Sequence, residues 1–230
     1  PPAASAGPST SATPDHPPHL FVPAADGATP TGHVLEGAWM QFADAMWERL
    51  NWRPPSVMTA DLLHSFTQSL SSSGVTAIFD AITSEDALAA AAQLDAEGRL
   101  NMYYHAATLF TALDDLPASL LRLRKLQRRF GSDRIAANTM KLFLDGTNEI
   151  GTSSVLEPFS LSGHHDDHGV LRVNSEDLVA AMKKLNDEGV DLHIHVVGDR
   201  GFRTALDSVE LARGGLGEVW RIQITLAPAE

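Results

Sequence analysis

Between residues 75 and 226, short apolar runs alternate with helix-patterned segments, and this alternation restricts the fold more than any other feature of the chain. Parallel strands need a long crossover, usually a helix, so strand, helix, strand, helix predicts an α/β protein with a parallel sheet and helical cover. Five runs qualify as strands, near 75–82, 100–109, 139–145, 190–197 and 219–226. Thr59, Ser84 and Asn174 or Ser175 are placed to cap the helices between them, and Gly74, Gly98 and Gly189 to stop those helices. An eight-fold βα barrel takes about 250 residues. Here 230 residues are present and the first 58 follow another pattern, so the sheet is either open or part of a barrel.

The chain therefore divides into an N-terminal arm with an upstream segment, 1–58, and a βα portion, 59–230. Residues 1–18 are rich in Pro, Ala, Ser and Thr and predict a flexible arm. LFVPAADGATPTGHVLEGA follows, with a turn signal at Asp26-Gly27, and predicts a short strand or hairpin leading into a helix that ends before Pro54-Pro55.

Composition narrows the chemistry. Cysteine is absent, so thiolate metal sites, disulfides and cysteine nucleophiles are excluded, and any metal must rest on His, carboxylate or modified lysine. A formal charge of -12 argues against nucleic acid or an anionic membrane as partner. No apolar run approaches the roughly 18 residues of a membrane span, and the opening residues lack a basic-then-apolar leader pattern. A cytoplasmic protein with a small-molecule substrate is expected, and homo-oligomerisation is compatible with it.

The stretch VDLHIHVVGDR, 190–200, carries the clearest chemical signal. His193 and His195 are two apart and share one face of an extended strand. His195 stands near the carboxyl end, where the βα loops of parallel α/β proteins open. Imidazole there serves as a metal ligand or as a hydrogen-bonded core residue, and the stretch alone leaves both open. Lys141 lies inside the apolar run of Met140, Leu142, Phe143 and Leu144. It must reach the rim, pair with Asp145 on the same predicted face, or react with carbon dioxide to give a carbamate able to bridge two metal ions. Asp80 and Asp199 fall at strand ends and are expected to line the pocket, although Asp199 equally suits a helix cap. The run His164, His165, Asp166, Asp167 and His168 has a consecutive spacing that matches no metal geometry and reads as a polar surface loop. Residues 147–173, long for a connection, predict an active-site covering loop or a disordered one. The basic face of the helix at 116–130 reads as a solvated surface.

KLFLDGTNEIGTSSVLEPFS at 141–160 and HIHVVGDRGFRTALDSVELAR at 193–213 resemble the amidohydrolase superfamily, in particular the branch of large metal-dependent hydrolases that includes N-substituted formamide deformylase. The shared phrases are K-L-F-x-D-G, a later L-x-E-P-[YF], and H-[AV]-[IV]-G-D-R. GVTAIFDA at 74–81 and the segment at 13–38 are similar to the same branch. The resemblance implies a (β/α)8 TIM-type barrel, only partly represented in these residues, with one or two divalent ions, zinc by expectation, activating water against an amide or other C–N bond. Lys141, carboxylated, and His195 are implied as metal ligands. The resemblance assigns His193 no role, and it is expected to hold His195 or line the layer beneath, while Asp80, Asp145 and Asp199 are expected to line the pocket from their places on the strands. The family's early-strand H-x-H pair, the histidine of the next strand and the late-strand aspartate have no counterpart here, and residues are expected to continue beyond Ala227. The chain by itself is thus expected to have little hydrolase activity. The alternative is a non-catalytic barrel fragment or binding module in which Lys141 stays unmodified and pairs with Asp145.

Overall fold

The computed structural model describes residues 21–26, 28–34, 38–160, 167–214 and 219–227. The chain forms two compact units, 1–55 and 56–230. In the first, β1 (Phe21–Pro23) and β2 (Pro30–Val34) form an antiparallel pair, and α1 (Ala38–Leu50) follows. The Asp26 carboxylate makes the turn by accepting the N–H groups of Ala28 and Thr29 at 2.9 and 2.8 Å.

The second unit runs α2 (Ala60–Ser72), β3 (Ala77–Asp80), α3 (Glu85–Ala96), β4 (Tyr103–Leu109), α4 (Leu116–Phe130), β5 (Ile135–Phe143), α5 (Ser175–Glu188), β6 (Asp191–His195), α6 (Asp199–Gly214) and β7 (Ile224–Ala227). Local chemistry sets the helix starts. Thr59, Ser84 and Asn174 accept the N–H groups of Leu62, Ala87 and Asp177. Gly189 ends α5 at φ 61°, a left-handed conformation that suits glycine. The last strand begins later than the apolar run predicts. Ahead of it the side chains of Asn186 and Asp191 accept the N–H groups of Arg221 and Gln223, taking the place of ladder bonds. In α4, Arg122 reaches the Leu109 carbonyl while Arg124 and Arg129 reach Glu188 and Glu85, so part of the basic face ties neighbouring elements together.

All five strands of the main sheet are parallel and lie in sequence order, β3-β4-β5-β6-β7. Tyr104, Ala106, Ile135 and Ala137 pack with α3 and α4, and Met140, Leu142, Leu192 and Ile194 pack with α4 and α5. The helical cover therefore meets one sheet face. An open doubly wound sheet reverses its strand order and is covered on both faces, whereas sequential order with one-sided cover is the arrangement of part of a TIM-type barrel.

One irregularity controls the other face. His105 pairs with Ala136 but Ala107 pairs with Thr139, so β5 holds one extra residue between these positions. Ala137 and Asn138 both turn to the helices: Ala137 is buried, and Asn138 bonds Gln127 of α4 and the Gly189 carbonyl. Strict alternation from Ile135 and Ala137 would send Lys141 into the helical layer; the bulge reverses the parity and sends it inward. Among the described residues no helix is long and apolar enough to cross a membrane.

Candidate functional site

Lys141, His193 and His195 share the inner face. Lys141 pairs in register with His193, and Phe143 with His195. Lys141 is 3% exposed, and its Nζ lies 2.9 Å from His193 Nδ1. Phe143 places its ring centroid 4.8 Å from Nζ, and Phe79 lies over the His193 ring at 5.1 Å. Among the described residues no carboxylate forms an ion pair with this amine. Burial pushes the Lys141 amine down to about 8. Burial, followed by the charges of Lys141 and His195, pushes His193 down to about 4. Near neutral pH His193 is therefore an uncharged ring whose Nδ1 accepts from the lysine.

That arrangement has a pH signature. The unfolded His193 takes its proton near pH 6.5 and the folded one only near 4, so between these values the unfolded chain binds more protons and stability falls as pH falls. The penalty is absent above the window and complete below it. Urea midpoints taken from pH 7 down to 4 should fall less steeply for His193→Gln than for the parent chain, by on the order of 3 kcal/mol across the window. Equal slopes would show that His193 is not held neutral.

His195 is placed by a different set of contacts. Its Nε2 lies 3.0 Å from the Gly146 carbonyl, which can only accept, so Nε2 carries the hydrogen and Nδ1 of the neutral ring keeps a lone pair. Asp145, wholly buried, lies one residue before that carbonyl. Its Oδ1 accepts the Val197 N–H at 3.0 Å, and its Oδ2 accepts those of Ser154 and Gly198 at 3.0 and 2.8 Å. The alternative in which Lys141 pairs with Asp145 is corrected on this point. Strand β5 ends at Phe143, so Asp145 turns with the departing chain and spends its oxygens on backbone donors.

Asp80, expected in the pocket, shares the helix-facing side with Ile78 and accepts from the Tyr104 hydroxyl at 2.7 Å. This contact and burial both push the Tyr104 hydroxyl upward, burial the more strongly. Asp199 is the first residue of α6: its Oδ1 accepts the N–H of Arg200 and of Leu156, both at 2.8 Å, so it satisfies one first-turn donor and fastens the long loop. His164, His165 and Asp166 lie outside the described residues. Asp167 and His168 make local bonds, to Gly169 N–H and the Val155 carbonyl.

The described parts of the 147–173 connection are fastened closely. Ser154 is buried; its carbonyl accepts Gly201 N–H and its hydroxyl accepts from Arg200 Nε at 2.6 Å. A Cβ on Gly198 would lie 1.9 Å from the Ser154 carbonyl oxygen, and one on Gly201 2.7 Å from Asp145 Oδ2. Sequence reasoning missed Ser154 and the Gly146 carbonyl as supports of the site. The small residues at 152–154 and the spacing of Gly198 and Gly201 carried that signal.

Among the described residues no three His, Asp or Glu side chains converge as a cation site. The donors that share the inner face are two imidazoles and one amine, of which Lys141 and His193 are in contact. As an ammonium Lys141 offers only hydrogens, but a carbamate on the same nitrogen would offer two oxygens sharing one negative charge, and with that change the set suits a divalent cation.

The family model described as the amidohydrolase family matches residues 7–223. The exoenzymes regulatory protein AepA of Pectobacterium carotovorum subsp. carotovorum is 29% identical over 180 residues, 78% of this chain and 37% of that protein. Among solved structures, an uncharacterized metal-dependent hydrolase from Pyrococcus horikoshii OT3 aligns with TM-score 0.55 and 24% identity, over 86% of this chain and 37% of that one. One from Pyrococcus furiosus aligns with TM-score 0.56 and 25% identity, over 86% and 39%. The chain thus spans well under half the length of these relatives.

Proposed function

The chain belongs to the amidohydrolase family, and on that premise we propose that it supplies part of the metal site of a hydrolase acting on an amide or other C–N bond of a small molecule. The single observation carrying the proposal is the buried Lys141 amine, held against a neutral imidazole with no carboxylate ion pair among the described residues. A buried lysine without a counter-ion is costly as a structural element. As a carbamate it becomes an anionic ligand. The nitrogen lone pair attacks carbon dioxide, the N–C bond forms, one C=O pair moves to oxygen, and the amine proton leaves to solvent. An amine pushed down to about 8 is partly neutral near pH 7 and can enter this reaction.

Carboxylated Lys141 and His195 would hold the divalent ion, zinc in the simplest case, with His193 orienting the lysine. A bound divalent ion lowers the pKa of water and polarises a carbonyl. Phe79 and Phe143 shield the lysine and imidazoles on the inner face. The resemblance to N-substituted formamide deformylase points to a small N-acyl or N-formyl amine as substrate, and the parallel arc fits within a (β/α)8 barrel.

The absence of a three-member His, Asp and Glu group among the described residues favours a second reading, a barrel module that binds without catalysis. One measurement separates the two. Zinc or cobalt retention should rise with bicarbonate concentration and fall with chelator, and hydrolysis of a panel of N-formyl and N-acyl amines, however slow, should follow it. Cation-free chain at every bicarbonate concentration, or hydrolysis indifferent to chelator, would sink the metal reading.

A further inference from the structure

We infer that Asp145 is a positioning residue for His195, acting through the Gly146 carbonyl; this rests on the reading of His195 as a cation ligand. Two adjacent residues just beyond β5 hold His195 and the turn that follows it. Gly146 takes the ring, through Nε2–H to its carbonyl at 3.0 Å. Asp145 takes Val197 and Gly198, two and three residues beyond the ring, and Ser154 of the covering loop. Gly146 N–H in turn donates to the Thr152 carbonyl, so the accepting carbonyl is itself held from the loop side. Gly201 completes the frame because any Cβ there would crowd Asp145 Oδ2.

The geometry selects a tautomer. While the Gly146 carbonyl faces Nε2, the hydrogen stays on Nε2 and Nδ1 keeps the lone pair that a cation needs. Asparagine at 145 cannot keep the frame. One Asp145 oxygen accepts one N–H and the other accepts two, so either amide orientation sets an NH2 group against a backbone donor. The turn must then move relative to Gly146, and the preference for Nε2–H weakens.

The test is an imidazole proton–nitrogen correlation spectrum on the isotope-labelled, metal-free 230-residue chain, together with cobalt affinity measured in bicarbonate. The parent chain should show His195 as the Nε2–H tautomer. Asp145→Asn should show mixed tautomers at His195 with the His193 signal retained, and a loss of cobalt affinity of about 10- to 100-fold. If Asp145→Asn does not fold, Gly201→Ala, which presses on the carboxylate without removing it, should shift the tautomer ratio in the same direction. A parent His195 in the Nδ1–H form, or a folded variant with unchanged tautomer and affinity, overturns the inference. A parent chain with the expected tautomer but no cobalt binding at any bicarbonate concentration overturns the metal reading and leaves the positioning role standing.

Discussion

Lys141→Met should unfold at higher urea than the parent chain near pH 7, yet bind divalent cations more than about 100-fold more weakly. The two effects have one cause. Lys141 is 3% exposed, its amine is pushed down to about 8 by burial, and its hydrogen-bond partner among the described residues is an uncharged ring. Replacing such a cation with an apolar side chain of similar length removes a desolvation cost, and for buried charges this is commonly neutral or stabilising by about 1–4 kcal/mol. Losing the donor to His193 offsets part of that, leaving a net gain of about 1–2 kcal/mol. The gain should shrink above pH 8, because the folded parent chain sheds this proton near 8 and the unfolded chain only near 10.4. Methionine cannot become a carbamate, so bicarbonate-dependent cation binding should vanish with the substitution. Urea titrations at pH 7 and 9.5 and cation binding with and without bicarbonate check both halves. A destabilised variant would mean that the lysine serves the fold, and undiminished binding would remove it from the site.

Gly198→Ala should leave little folded protein at 37 °C. The added Cβ would lie 1.9 Å from the oxygen, 2.4 Å from the carbon and 2.7 Å from the nitrogen of Ser154, all backbone atoms of a buried residue. No rotamer relieves such a clash, so the loop or the turn must move. Either movement strains the Gly198 N–H bond to Asp145 and the Gly201 N–H bond to the Ser154 carbonyl. A cost above about 4 kcal/mol is expected, a large part of the 5–15 kcal/mol that stabilises a typical domain. Gly189→Ala is the control. Its φ of 61° penalises a side chain, but no atom lies within 4 Å of the new Cβ, so the loss should be about 1 kcal/mol. Circular dichroism and urea midpoints of the two variants would separate steric exclusion from backbone preference; equal losses would refute the close approach of turn and loop.

Much of the scaffold could be read without coordinates. Thr59, Ser84 and Asn174 all cap as their residue type and position predict, and Leu116–Phe130 forms the helix that its apolar spacing describes. The shared face of His193 and His195 is also legible, because β6 keeps strict alternation through both. The site was less legible where the chain departs from regular geometry. Lys141, Phe143 and Asp145 alternate along the sequence, yet the strand ends at Phe143 and Asp145 turns into the loops. Asp80 was placed by its position at a strand end, but its face is set by Ile78 and Tyr104 beside it.

The sequence alone determined the order and kind of the elements, their caps, and the supply of one lysine and two histidines on adjacent strands. These depend on neighbours within about four residues, where periodicity and side-chain chemistry act directly. Only the tertiary structure decided that Lys141 faces inward, that it meets His193 instead of Asp145, and that the Gly146 carbonyl selects the His195 tautomer. Each follows from a residue count or contact between distant segments: one extra residue in β5 opposite β4, and a loop carbonyl under a glycine turn. Local periodicity carries no record of a partner strand's register, so these choices become fixed only when the strands pair.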